Sequence, residues 1–217
     1  MKKSILFIFT ACFLFTTSCS DFLDEEHKTK YSSEYVFGTP EGLKLAVNAL
    51  YALQRYYAND TENATIFALE RGTDLAVTNG GTGNFYGIYD PNYLKPSASQ
   101  VGFMWRTMYQ IIGKANEIIA AAEDLEDTPS LRATVSEAKC FRAQSYFLLY
   151  RTFDRIWLNI QPTTAENVND PRDFHAASEK EVFDLIYEDL EYAITNLDWV
   201  SDEAGRFTQA AARHMKA

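Results

Sequence analysis

The stretch from Glu137 to Trp157 contains neither Gly nor Pro, so nothing in it interrupts a helix and it reads as one long helical element. Its apolar residues fall in two adjoining stripes. Ala143, Tyr146, Tyr150, Phe153 and Trp157 alternate steps of three and four, and Cys140, Phe147 and Leu148 run beside them. Only Gln144, Arg151 and Arg155 make a polar edge. A helix with so narrow a wet face is expected to lie between other helices, as the inner members of stacked helix pairs do.

The flanking sequence supplies those neighbours. Thr39-Pro40-Glu41 has the order of a helix start, an N-cap oxygen, a proline at the first helical position and an acid in the first turn. The helix it opens carries Leu43, Val47, Leu50, Leu53 and Tyr57 on one face and ends at Asn59-Asp60. A shorter helical segment over Ala64 to Ala76 follows, closed by Asn79-Gly80-Gly81. From there to Gln100 the chain is punctuated by Gly83, Gly87, Pro91 and Pro96 and reads as a long loop, a kind of segment that tends to carry function.

The helical period returns at Phe103, with Trp105, Met108, Ile112, Ala115, Ile119 and Ala122 in one stripe that Ile111, Ile118 and Leu125 widen. Asp127-Thr-Pro-Ser130 is a turn, after which the central helix returns antiparallel to complete a hairpin. Asn159 to Ala177 is a second connection, and Ser178 with Glu181 forms a capping box. The helix behind it turns Val182, Leu185, Ile186, Leu190, Ala193, Ile194 and Leu197 inward; Ser201 to Gly205 ends it, and Arg206 to Ala217 begins another. The expected class is therefore mainly α, with tetratricopeptide-like helical hairpins and long loops. The last half-helix is apolar with nothing after it to pack on, so the expectation is the N-terminal part of a longer protein or a truncated gene.

Among the 217 residues 47% are hydrophobic and 14% aromatic, enough for a packed core. A net charge of −10 leaves nothing to neutralise phosphates and argues against a nucleic-acid partner. Lys2-Lys3 followed by the apolar run Ile5 to Phe15 is a signal peptide over residues 1–18, too short to cross a bilayer core of about 30 Å. Thr16-Thr17-Ser18-Cys19 resembles a bacterial lipobox, with Thr16 where Leu is usual, so Cys19 is the expected lipidation site. Acyl chains such as palmitate on that residue would make the anchor effectively permanent. The acidic run Ser20 to Glu26 resembles the export tag of surface-exposed lipoproteins of Bacteroidetes-type bacteria. Residues 19–38 are then an anchored tail and linker, and 39–217 the helical domain. Cys12 and Cys19 both lie in the N-terminal segment, leaving Cys140 alone in the folded body and no disulfide framework.

Several blocks, in their order, resemble the SusD/RagB family of nutrient-uptake outer-membrane lipoproteins. They are Cys19-Ser-Asp-Phe-Leu-Asp24; Trp105, Tyr109, Ile112, Ala115-Asn116 and Ile118-Ile119; Glu137-Ala138, Phe141-Arg142-Ala143, Tyr146-Phe147, Leu149 and Phe153; Pro171-Arg172 leading to Glu181-Val182, Leu185-Ile186, Asp189-Leu190 and Ala193; and Gly205-Arg206, Thr208 and Ala210-Ala211. The chain departs from the family pattern after Phe153, where Asp154-Arg-Ile-Trp157 replaces a Gly-Asp-x-Pro turn, so a different exit from the central helix is expected. The resemblance implies a non-catalytic protein that holds an oligosaccharide or another nutrient at the cell surface and closes over a TonB-dependent transporter of the SusC type.

The residues agree with that expectation. His27, His175 and His214 are scattered, so no metal cluster and no base beside a nucleophile is expected, and no cofactor is implied. Asn79 to Asn84 lacks the Gly-Lys-Ser/Thr of a phosphate loop. Cys140, in a buried stripe, is expected to be inert. Glu188, Asp189 and Glu191 read as solvated surface carboxylates. Sugar binding needs flat rings for C–H faces and polar groups for hydroxyls, with no titrating group. The loop from Thr78 to Gln100 offers both: Phe85, Tyr86, Tyr89 and Tyr93 to stack, and Asn84 and Asn92, with Asn79 and Asp90, to hydrogen-bond. The resemblance adds that part of the family's glycan platform comes from the loop before this helix. A different class of function is a tetratricopeptide-type interaction module that docks on the transporter, or a remnant without a ligand site.

Overall fold

The computed structural model describes residues 31–59, 99–171 and 174–217. The chain divides into two compact units, Met1–Ser32 and Ser33–Ala217, and of the first only Tyr31 and Ser32 are among the described residues. The expected signal peptide, Cys19 and the acidic run lie outside them, as do the segment over 64–76 and the loop residues up to 98.

Among the described residues the second unit is built of α1 (Ser33–Gly38), α2 (Pro40–Asn59), α3 (Ser99–Ala121), a 3-10 turn (Ala122–Asp124), α4 (Pro129–Phe153), α5 (Glu179–Asn196) and α6 (Gln209–Lys216), with no strand. None of these helices is long and apolar enough to cross a membrane. The central helix packs against α3 on one side and α5 on the other, α2 covers α3 and α4, and α6 lies on α5. This is the expected mainly helical, tetratricopeptide-like stack of hairpins.

The starts of the helices follow from their caps. The Thr39 hydroxyl accepts from the Gly42 N–H at 3.0 Å in front of Pro40. Thr128 does the same for Leu131 at 3.1 Å and Thr208 for Ala211 at 3.2 Å. Both halves of the Ser178–Glu181 capping box are formed, and these bonds hold the Glu181 carboxyl below its ordinary pKa. Gly42 also marks where α1 folds back on α2: a Cβ there would overlap the Tyr35 carbonyl oxygen and stand 2.6 Å from the Val36 Cα. Because backbone cannot swing aside, Gly42→Ala is expected to destabilise the unit by about 1–3 kcal/mol, read as a lower urea midpoint at unchanged slope.

Several boundaries and faces differ from the sequence-based expectation. Helix α3 begins at Ser99 rather than Phe103, since Gly102 costs only about 1 kcal/mol within a helix and does not stop it. The central helix begins earlier, at Pro129, and ends at Phe153, so Arg155 and Trp157 are not on it. Asp154 ends it. Its φ of 62° and ψ of −54°, with the Arg155 N–H donating to the Phe153 carbonyl at 2.6 Å, form a γ-turn of the strained hand. This residue stands where the resembling family has glycine. Asp154→Gly is therefore expected to raise the stability by about 1 kcal/mol, the relief of the left-handed backbone exceeding the entropy that glycine adds to the unfolded chain; thermal unfolding of the two forms checks it.

The core gathers Leu43, Val47 and Leu50 of α2, Met108, Ile111, Ile112 and Ala115 of α3, Phe141, Tyr146 and Leu149 of α4, and Val182, Leu190 and Ala193 of α5. Cys140 is fully buried there, and burial pushes its thiol far above the ordinary value. Phe147, expected inside, is 39% exposed, whereas Arg142 is buried. The largest correction concerns Asp189. It is not a solvated carboxylate but fully buried, because it faces the cationic side chains of the central helix.

Candidate functional site

Where α3 begins and α4 ends, five aromatic rings stand in a continuous row. Trp105 lies two turns into α3, and Tyr109 one turn beyond it, with centroids 4.8 Å apart. Phe153, the last residue of α4, meets Trp105 edge-on at 5.0 Å. Trp157 stacks on Tyr109 at 6.3 Å and 27°, and Phe174 lies 4.8 Å from Trp157. Phe174, at one end, is 70% exposed and Trp105, next to the other end, 36%, while Phe153 at that end is half-buried. Such a row offers apolar faces without enclosing them.

The row depends on a segment that is not helical. After the γ-turn, residues 156–160 belong to no helix or strand, and their backbone is bound from the helices by side chains. The Tyr109 hydroxyl donates to the Trp157 carbonyl at 2.8 Å and accepts from the Trp157 N–H at 2.9 Å. The Tyr146 hydroxyl does the same at Asn159, at 2.8 Å each way. The Asn116 amide donates to the Asn159 carbonyl at 2.7 Å and reaches the Gln161 carbonyl at 3.5 Å. Positions 157, 159 and 161 alternate as on one edge of a strand, and hydroxyls and an amide occupy the place of a partner strand. Burial raises the pKa of both tyrosines above the ordinary phenol value, so each keeps the proton it donates.

Behind Asn116 stands a buried ion cluster. Arg142 donates through Nε and Nη2 to the two oxygens of Asp189, at 2.7 and 2.8 Å, and through Nη1 to the Asn116 Oδ1 at 2.9 Å. Lys139 adds a second cation at 2.8 Å from Asp189. Each of the three nitrogens of Arg142 is thus engaged, which suits a planar guanidinium better than a point charge.

Two open cavities lie elsewhere. One of about 370 Å³ is lined by Ile119, Leu125, Leu131, Arg132 and Tyr192 at the α3–α4 turn. Another of about 380 Å³ is lined by Lys44, Glu137, Asp198, Glu203 and Phe207. There Arg206 meets Glu203 at 3.2 Å and Glu137 at 3.4 Å, and Tyr51 donates to Glu137, which ties the Gly205–Thr208 segment to α2 and α4. Neither cavity includes a ring of the row. Among the described residues no group of His, Cys, Asp and Glu could hold a metal ion.

The blocks that build this architecture match a family model described as starch-binding and associating with the outer membrane, over residues 21–216. The chain belongs to the SusD-like family. A SusD-like protein of Bacteroides ovatus is 27% identical over 230 residues, covering 100% of this chain and 39% of its own length. The SusD-like protein P38 of Formosa agariphila is 28% identical over 211 residues, 94% of this chain and 40% of its own. The chain thus spans about two-fifths of the length of these SusD-like relatives. Among solved structures, a laminarin-binding SusD-like protein superposes with a TM-score of 0.68 at 27% identity over 80% of this chain and 38% of that one. A SusD superfamily protein of Bacteroides vulgatus gives 0.69 at 17% identity, over 83% and 39%, and shows the shared fold.

The loop residues expected to touch ligand in this SusD-like chain, Asn84, Phe85, Tyr86, Tyr89, Asn92 and Tyr93, lie outside the described residues. The ring row does not follow from periodicity. The helical period puts Trp105 in the inner stripe of α3, whose buried members are instead Met104, Met108, Ile111, Ile112, Ala115 and Ile118. A signal is nonetheless present, because Trp105, Phe153 and Trp157 belong to blocks adjoining the loop and to the departure after Phe153.

Proposed function

We propose that this SusD-like chain contributes to capturing an oligosaccharide at the outer membrane, with the row Trp105, Tyr109, Phe153, Trp157 and Phe174 as part of the surface on which sugar rings lie. The observation that carries this reading is the continuity of the row together with the exposure of Phe174 and Trp105 within it. Aromatic faces match the C–H faces of pyranose rings, and the reading needs no titrating residue and no enzyme activity. A laminarin-binding SusD-like relative and a structural neighbour solved with a xylogluco-oligosaccharide favour a glycan ligand. The loop carrying Asn84, Phe85, Tyr86, Tyr89, Asn92 and Tyr93 leads into α3 and would extend the same surface. Lipid anchoring through Cys19, surface exposure and delivery to a TonB-dependent transporter of the SusC type complete the reading, and rest on the sequence motifs and the family.

The test is retention of the full mature chain in native gels cast with a panel of polysaccharides that includes laminarin and xyloglucan. Retardation by at least one, relieved by the matching free oligosaccharide, is the expected result. Migration unchanged by every polysaccharide would discard glycan capture and leave the helical stack as a docking module.

A further inference from the structure

We infer that Asn116, oriented by Arg142 and Asp189, is a positioning residue that fixes the segment Trp157–Gln161 and so sets where the Trp157 ring stands in the row. The inference rests on the proposed glycan surface for its functional meaning but not for its structural content. Asn116 is 1% exposed and cannot touch a ligand. Its two amide atoms nevertheless face opposite ways: Oδ1 toward Arg142, Nδ2 toward the carbonyls of Asn159 and Gln161.

An amide side chain can flip, exchanging donor and acceptor. Here the flip is blocked, because a flipped amide would aim N–H groups at the Arg142 guanidinium and its oxygen at two carbonyl oxygens. Arg142 is in turn held by the bidentate contact with Asp189, at 2.7 and 2.8 Å. Orientation therefore passes from α5 through α4 to α3 and out to the segment. The consequence for Trp157 is geometric. Its N–H and C=O are held by Tyr109, whose own ring stacks on the indole. A slip of the segment by one residue would place Leu158 at that position and turn the indole to the other face.

Asn116→Asp separates positioning from core stability. A carboxylate oxygen still accepts from Arg142 Nη1, and the added negative charge joins that of Asp189 in balancing the two cations, Lys139 and Arg142. The donor to Asn159 and Gln161 is lost. Hydrogen exchange followed by mass spectrometry on the full chain is expected to rise about tenfold or more in peptides covering residues 157–161, with α4 and α5 peptides unchanged. Glycan retention, measured with whichever polysaccharide retards the wild type, is expected to weaken about tenfold, with helical circular dichroism preserved. Asn116→Ala, which removes the donor without adding charge, is expected to give the same pattern and carries the test should the acidic variant not fold.

Unchanged exchange in the segment, or a rise of equal size across α4 and α5, would overturn the inference, the second because it marks general loosening. A wild type that binds no polysaccharide removes the proposed function, while the exchange pattern still decides the positioning.

Discussion

Asp189→Ala is expected to cost about 3–5 kcal/mol of folding stability, against the ~5–15 kcal/mol that a folded protein commonly has in all. The reason is what the substitution leaves behind. The Arg142 and Lys139 side chains are only 6% and 11% exposed, and without the carboxylate two cations remain buried with no anion beside them, only the Asn116 amide and the Tyr192 ring. The magnitude measures that uncompensated charge rather than the worth of the pair. Replacing Arg142 and Asp189 together by Met and Leu should therefore recover most of the loss, since apolar residues of similar volume have no charge to desolvate. Urea unfolding of the wild type, the single variant and the double variant decides it. Equal losses in the single and double variants would mean that the cluster itself, not the orphaned cations, supplies the stability. Lys139 also stands 5.2 Å from the Tyr192 ring, so the double variant keeps one partner for the remaining cation.

Trp157→Ala is expected to weaken glycan binding by about 2 kcal/mol, roughly thirtyfold, the loss typical of a central aromatic anchor. Trp157 is flanked by rings on both sides, Tyr109 and Phe174, whereas Phe174 ends the row at 70% exposure. Phe174→Ala should accordingly cost less. Folding should be largely preserved in the Trp157 variant, because Tyr109 holds residue 157 by its backbone and not by its ring. Titration calorimetry with an oligosaccharide of the retaining polysaccharide gives the affinities. Equal losses for the two substitutions would place the ligand at the exposed end rather than along the row.

Much of the fold is legible in the sequence because it depends on local chemistry. The oxygen of Thr39, the box of Ser178 and Glu181 and the 3.6-residue stripes of α3 and α5 depend only on neighbours in the chain, and the structure has them. The extent of α4 is less so. No Gly or Pro marks its end, and the break at Asp154 uses a strained backbone that residue type disfavours. Asp189 escapes a sequence reading for a related reason. Residue type places an acid in water, but Val182, Ile186, Asp189 and Ala193 step by four, three and four, and all are buried. Arg142 follows Ala138 by four and precedes Ser145 by three within a buried stripe, and Asn116 follows Ile112 by four. Three polar residues on three apolar stripes are a sign of one shared network, which periodicity scored by hydrophobicity alone passes over. The loop residues proposed to meet ligand fall outside the described residues, and the ring row comes into view only with the path of the chain after Phe153.

The way Tyr109, Tyr146 and Asn116 hold the segment Trp157–Gln161 has a bearing on variation among such proteins. They grip peptide groups, which every residue but proline offers alike, and none of these contacts uses the side chain at 157, 159 or 161. The side chains at those positions are thus free to change while the main chain stays in place. If the row is the glycan surface proposed above, a helical frame of this kind can be refitted for a new sugar by exchanging a few letters in one short stretch, with the frame itself left untouched.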